Sequence, residues 1–129
     1  MRRRARFVCQ MITLLLVPAL AAAHHSVTGQ FDESKSITLK GTISKVDWIN
    51  PHPYIHLAVR DPQGTVTAWA LSTIPIPMLR KAGLTKEALQ GKVGEVVTID
   101  ARPPLDARKR IGWIVKITYP DGHFYKLFE

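Results

Sequence analysis

The chain has a single cysteine, Cys9, among its 129 residues. With no second thiol there is no intrachain disulfide; once Cys9 leaves with the N-terminal segment, as expected below, thiolate metal sites are excluded too and only nitrogen and oxygen ligands remain. Enzyme signatures are missing too: there is no G-x-S-x-G elbow, no H-E-x-x-H pair, no phosphate loop and no candidate nucleophilic cysteine. Beyond the first two dozen residues no apolar run is long enough for a bilayer core, which needs about 20 residues. Internal repeats and low-complexity tracts are also missing.

The N-terminus carries what the rest lacks. Arg2, Arg3, Arg4 and Arg6 precede an apolar stretch from Val8 to Val17, then Pro18 and the small residues Ala19, Ala21, Ala22 and Ala23. A positive segment, a short apolar segment and an A-x-A site are the parts of a secretory signal. The expectation is a signal peptide over residues 1–23, with Cys9 leaving on cleavage, and a periplasmic or secreted product. Residues 24–129 would then form one domain. Loss of four arginines lowers Lys+Arg from 18 to 14 against 10 acidic residues, so the net charge falls from +8 to +4. That balance suits anionic lipid, polysaccharide or small anions, and it is too mild for nucleic acid.

Residues 24–35 read as an exposed leader and 36–129 as the domain proper. From Ser36, Ile37, Leu39, Gly41 and Ile43 alternate with Thr38, Lys40, Thr42 and Ser44, which is the period of a strand. The apolar phase then moves to Val46 and Trp48, so a bulge or sharp coil is expected between Gly41 and Lys45. Asn50-Pro51-His52-Pro53 stops this strand. Tyr54–Arg60 is the second, turned by Asp61–Gly64 into a third over Thr65–Leu71. Met78 to Leu89 reads as a short helical segment divided at Gly83, restarting at an N-cap Thr85 and ending at Gly91. Val93–Ala101 is expected as the fourth strand, Ile111–Tyr119 as the fifth and Phe124–Phe128 as the last. The order predicts a mainly β fold: a small OB-like antiparallel barrel of five to six strands, with one short helical connector between strands three and four, the alternative being a different small antiparallel barrel or a half-open sandwich.

The stretches Ala23-His24-His25-Ser26, Phe31-Asp32, Leu39 to Leu57 and Trp69 resemble a family of small exported bacterial proteins catalogued as a domain of unknown function (domain of unknown function 6152). The block Trp48 to His52 is the most specific part. The resemblance implies export and a compact β-rich fold, and it implies no activity.

Four of the five histidines fall in two groups, His24 with His25 and His52 with His56. Imidazole suits copper, zinc, nickel and iron. Cleavage after Ala23 would make His24 the first residue, so that its amine and ring nitrogen could chelate one ion, with His52 a candidate third nitrogen. Cleavage one residue earlier would leave Ala-His-His, a planar nitrogen set for Cu(II) or Ni(II). The bland alternatives are a solvated leader, a turn-capping His52 and a surface His56. In a continuous strand His52 and His56 would stand roughly 13 Å apart, too far to share an ion.

Trp48, Trp69, Trp113, Tyr54 and Tyr119 are candidates for a stacking surface, although Trp113 is in phase with Ile111, Val115 and Ile117 and is expected in the core. Asp47 near His52 is a candidate acid–imidazole pair, and Arg102 to Arg110 is a basic loop. The expectation is a non-enzymatic exported binding domain with a site around Trp48, Asn50, His52, Tyr54, His56 and Trp69, and a metal site, copper first, at His24, His25 and His52. An oligosaccharide- or peptide-binding module is the alternative, as is an accessory subunit with an envelope protein as partner.

Overall fold

A computed structural model describes residues 28–128. The chain divides into two compact units, 1–30 and 31–129. Of the first, only a 3-10 turn at Thr28–Gln30 is described; the expected signal peptide, His24 and His25 lie outside the described residues.

The second unit is built on six strands: β1 Ile37–Asp47, β2 Tyr54–Arg60, β3 Val66–Ser72, β4 Val96–Arg102, β5 Ile111–Thr118 and β6 Phe124–Lys126. Two short helices, α1 Ile76–Lys81 and α2 Lys86–Gln90, connect β3 to β4. The sheet order is β3-β2-β1-β4-β5-β6, and a further β3–β5 pairing closes five strands into a barrel with β6 appended. All neighbours are antiparallel except the closing pair, where Ala70, Leu71 and Ser72 run parallel to Ile111, Gly112 and Trp113. This is the OB-like arrangement predicted by the element order.

Period-two alternation on strands that wrap one interior fills that interior with branched side chains. Ile43, Ile55, Leu57, Leu71, Ile99, Ile114 and Ile117 are completely buried, and Leu79, Leu84 and Leu89 of the helical connector join the same core. Each such side chain contributes about 1.5–3 kcal/mol by leaving water. The expected phase change in β1 is a register shift between Ile43 and Lys45. One extra residue, Ser44, lets Ile43 and Val46 both face inward. Upstream, Gly41 lies so close to β2 that a Cβ on it would sit 2.5 Å from the Ala58 carbonyl oxygen.

The helical connector follows local chemistry. Pro77 is tolerated in the first turn of α1 because an N–H there would have no intrahelical acceptor. Thr85 caps α2 by accepting from the Ala88 N–H at 3.2 Å, and Gly91 is its C-cap.

Three expectations need correction. The fourth strand starts at Val96, since Lys92 to Glu95 make a turn with Gly94 at φ 93°, and Val93 is 47% exposed. The leader is not exposed throughout: Phe31 is buried, it forms a bridge with Pro104, and the Asp32 N–H donates to the Pro103 carbonyl at 2.8 Å. In β5 a second register shift pairs Asp100 with Lys116 but Ala101 with Ile114. Ile114 and Ile117 therefore face the core, and Trp113 turns to the outer side, half-buried. The apolar odd-numbered residues from 111 to 119 had indicated the opposite phase for the first half of the strand.

Candidate functional site

The loop between β1 and β2, residues 48–53, is strapped to the segment that leaves β3. Its prolines have no N–H to give, but their carbonyls accept. Pro53 O takes both the Thr73 N–H and the Thr73 hydroxyl at 2.9 Å, and Pro51 O takes the Ile76 N–H at 3.3 Å. Thr73 is fully buried and its hydroxyl also reaches Ile74 O at 3.0 Å. The Asn50–Pro51 bond is cis.

His52 projects from this strapped loop. Its Nδ1 lies 2.9 Å from the Thr73 carbonyl oxygen. A carbonyl only accepts, so Nδ1 carries the proton, and in the neutral ring Nε2 then holds the lone pair. The ring is half-buried and stands against Trp113, centroids 5.8 Å apart and planes inclined at 60°. Trp113 is flanked in turn by Phe31, edge-on at 5.9 Å, and by Phe128 at 6.0 Å. The loop, the β5 outer face, the start of the unit and its end thus meet around one indole. Sequence reasoning missed this cluster, because it put Trp113 in the core and Phe31 in solvent. The bulge that turned Trp113 outward left no signal that could have found it.

A second imidazole is engaged differently. On the outer face of β2, Tyr54 and His56 are half-buried, opposite Asp47 and Lys45 of β1. His56 Nε2 lies 2.8 Å from Asp47 Oδ2, and Lys45 Nζ lies 2.6 Å from Asp47 Oδ1. Lys45 first, and His56 after it, hold the Asp47 carboxyl below the usual carboxylate range. Asp47 therefore pairs with His56 rather than with His52, diagonally across the ladder, as same-face neighbours on adjacent strands do.

The remaining candidates separate. Trp48 and Trp69 both pack against the barrel core, and the Arg110 guanidinium lies 5.6 Å from the centroid of the Trp69 ring. Asn50 is exposed at the loop tip. Among the described residues no three His, Cys, Asp or Glu side chains come together as a metal-binding group, so His52 and His56 do not form a closed site with the acids nearby. The expected basic loop is partly self-neutralised, Arg108 Nε and Nη2 binding the two oxygens of Asp106 at 2.9 Å each.

A family model described as a family of unknown function, DUF6152, matches residues 13–112. No curated protein and no solved structure matches the chain.

Proposed function

The chain belongs to the DUF6152 family of unknown function, and from that premise we propose that it is an exported, non-enzymatic binding domain for a divalent metal ion. Copper(II) is the first candidate, held by His52 together with His24 and His25. One observation carries the reading: His52 gives its Nδ1 proton to the Thr73 carbonyl at 2.9 Å. Metal-ligating histidines are typically oriented in this way, through a hydrogen bond from the other ring nitrogen to a carbonyl or carboxylate. The bond fixes the tautomer that leaves Nε2 able to ligate, and neutral imidazole suits copper. The arginine-rich start, the apolar segment and the alanine site support export. A cut after Ala23 would supply the amine and ring of His24.

A stacking site for sugars or peptides ranks below this reading. It needs exposed rings, and of the five candidates Trp48 and Trp69 pack on the core, Tyr119 is buried in it, and Trp113 is flanked by Phe31, His52 and Phe128. Tyr54 alone would remain.

The test uses the distance between His52 and Trp113. Paramagnetic Cu(II) at His52 should quench the Trp113 emission stoichiometrically in protein with its native N-terminus. His52→Ala should abolish that quenching, and Trp113→Phe should remove the quenched component while leaving copper uptake intact. Quenching unchanged in His52→Ala would refute the assignment.

A further inference from the structure

The loop that joins β4 to β5, residues 103–110, is held at both ends and in its middle. Pro103 and Pro104 have no N–H to extend the β4 ladder, so the chain leaves the sheet there. The Pro103 carbonyl accepts from the Asp32 N–H at 2.8 Å, and the Arg110 carbonyl accepts from the Ala70 N–H at 2.9 Å. Between these anchors the Lys109 N–H donates to the Asp106 carbonyl at 3.0 Å, and Arg110 Nη1 donates to the Ala107 carbonyl at 3.0 Å. This loop, the start of β1 and Trp69 of β3 enclose a hollow of about 450 Å³. Small-molecule sites span roughly 300–1,000 Å³.

The walls are mostly apolar: Ile37, Trp69, Pro103, Pro104, Leu105 and Ala107. Leu105 is 63% exposed. A lone exposed leucine needs no explanation, but this one lines a hollow already walled by an indole and two pyrrolidine rings. Trp69 packs against the core and is half-buried, so its ring is a fixed wall rather than a free stacking platform. Ser36 and the Trp69 indole N–H are the only uncharged polar side-chain groups lining the hollow, too few to match the hydroxyls of a sugar.

Charge decides the polar end of the ligand. Arg108, Lys109 and Arg110 follow one another, and the loop has a single acid, Asp106, both of whose oxygens are held by Arg108. Lys35, on the same hollow, is paired with Asp32 at 3.0 Å. Among the described residues Lys109, which also lines the hollow, is bonded to no acid. The Arg110 guanidinium, 5.6 Å from the centroid of the Trp69 ring, adds a second uncompensated charge nearby.

We infer that this hollow binds a small amphipathic anion, a rigid apolar body carrying one carboxylate. The body lies against Trp69, Pro103 and Leu105, and the carboxylate meets the Lys109 ammonium at the rim. The loop is already shaped by its own hydrogen bonds, so little order has to be imposed on binding. The site shares no residue with the His52 loop and does not depend on the copper reading.

The experiment uses metal-free, 15N-labelled full chain and three probes: 1-naphthoate, its uncharged counterpart 1-naphthalenemethanol, and acetate. Indole N–H resonances are assigned by single Trp→Phe variants, and affinities are measured by calorimetry. 1-Naphthoate should bind once per chain and shift the Trp69 indole through its ring current, with Trp48 and Trp113 undisturbed. It should bind about fivefold more tightly than 1-naphthalenemethanol, the upper end for an exposed charge pair, and lose that margin in high salt. Acetate should leave Trp69 in place. Lys109→Gln should erase the margin without changing 1-naphthalenemethanol, and Leu105→Ser should weaken both. Both residues are exposed, so neither variant puts the fold at risk. The inference is overturned if 1-naphthoate does not bind, if it binds no better than 1-naphthalenemethanol, or if its shift falls on Trp48 or Trp113 instead. It is also overturned if Lys109→Gln binds 1-naphthoate as tightly as the wild type. Without naphthoate binding, cosedimentation with phosphatidylglycerol vesicles would assign the patch to a lipid surface. Self-association lost in Leu105→Ser would then assign it to a second copy of the chain, and either result overturns the inference.

Discussion

His52 Nδ1 and the Thr73 carbonyl oxygen are 2.9 Å apart, and this bond joins a proline-flanked loop to the strand end that closes the barrel. It converts an imidazole in a loop into one with a set tautomer and a set direction. A loop histidine in solvent would lose rotamer freedom on binding any ligand, whereas this one has lost it already.

The close approach of β1 to β2 at Gly41 predicts a stability defect. A methyl group at Gly41 would meet the Ala58 carbonyl carbon at 3.0 Å as well as its oxygen at 2.5 Å. Neither atom belongs to a flexible side chain that can swing away. Gly41→Ala should cost about 1–3 kcal/mol, seen as a lower urea midpoint with an unchanged slope. An unaltered midpoint would mean that β1 and β2 are less closely apposed there.

Much of the barrel was legible because strand chemistry is local. Ile55, Leu57 and Leu71 alternate with polar or small residues, and the shift from Ile43 to Val46 marked the bulge as a change of phase. Thr85 and Gly91 bounded α2 by the hydrogen bonds that their positions require. Trp113 was not legible, since β5 carries apolar residues at both parities and only the pairing with β4 decides which set faces inward. The site was half legible for the same reason. His52 stood out by its spacing from the other histidines, but Thr73, its acceptor, lies 21 residues away and shows no local sign of that role.

The Asp47 cluster predicts a pH effect of defined sign. Lys45 and His56 lower the pKa of the folded carboxyl, so its stabilising contribution is present above about pH 4, near the unfolded value. It is lost as pH falls through the lowered folded value. Urea midpoints of the wild type and Asp47→Asn should therefore differ at neutral pH and converge under strong acid. A difference that grows as the pH falls would contradict the pairing.

At the alkaline end Tyr119 should dominate. Burial first, then the nearby Tyr125 and Glu95, push its phenol up to about 12. An unfolded tyrosine ionises near pH 10, so the folded state holds this proton more tightly. The stability linked to it is complete below about pH 10 and is lost as pH rises towards 12. Tyr119→Phe should match the wild type near neutrality and lose less stability between those values. Denaturation series at pH 8, 10 and 11.5 would measure the divergence.

The most direct measurement is a calorimetric Cu(II) titration of protein beginning at His24, alongside His52→Ala and a variant with one residue added before His24. The parent protein should bind one copper per chain. Both changes should weaken it at least about tenfold, in keeping with the loss of a ligand or of its geometry. Equal affinity in all three proteins would contradict the claim that His52 and a free N-terminal histidine share one metal ion.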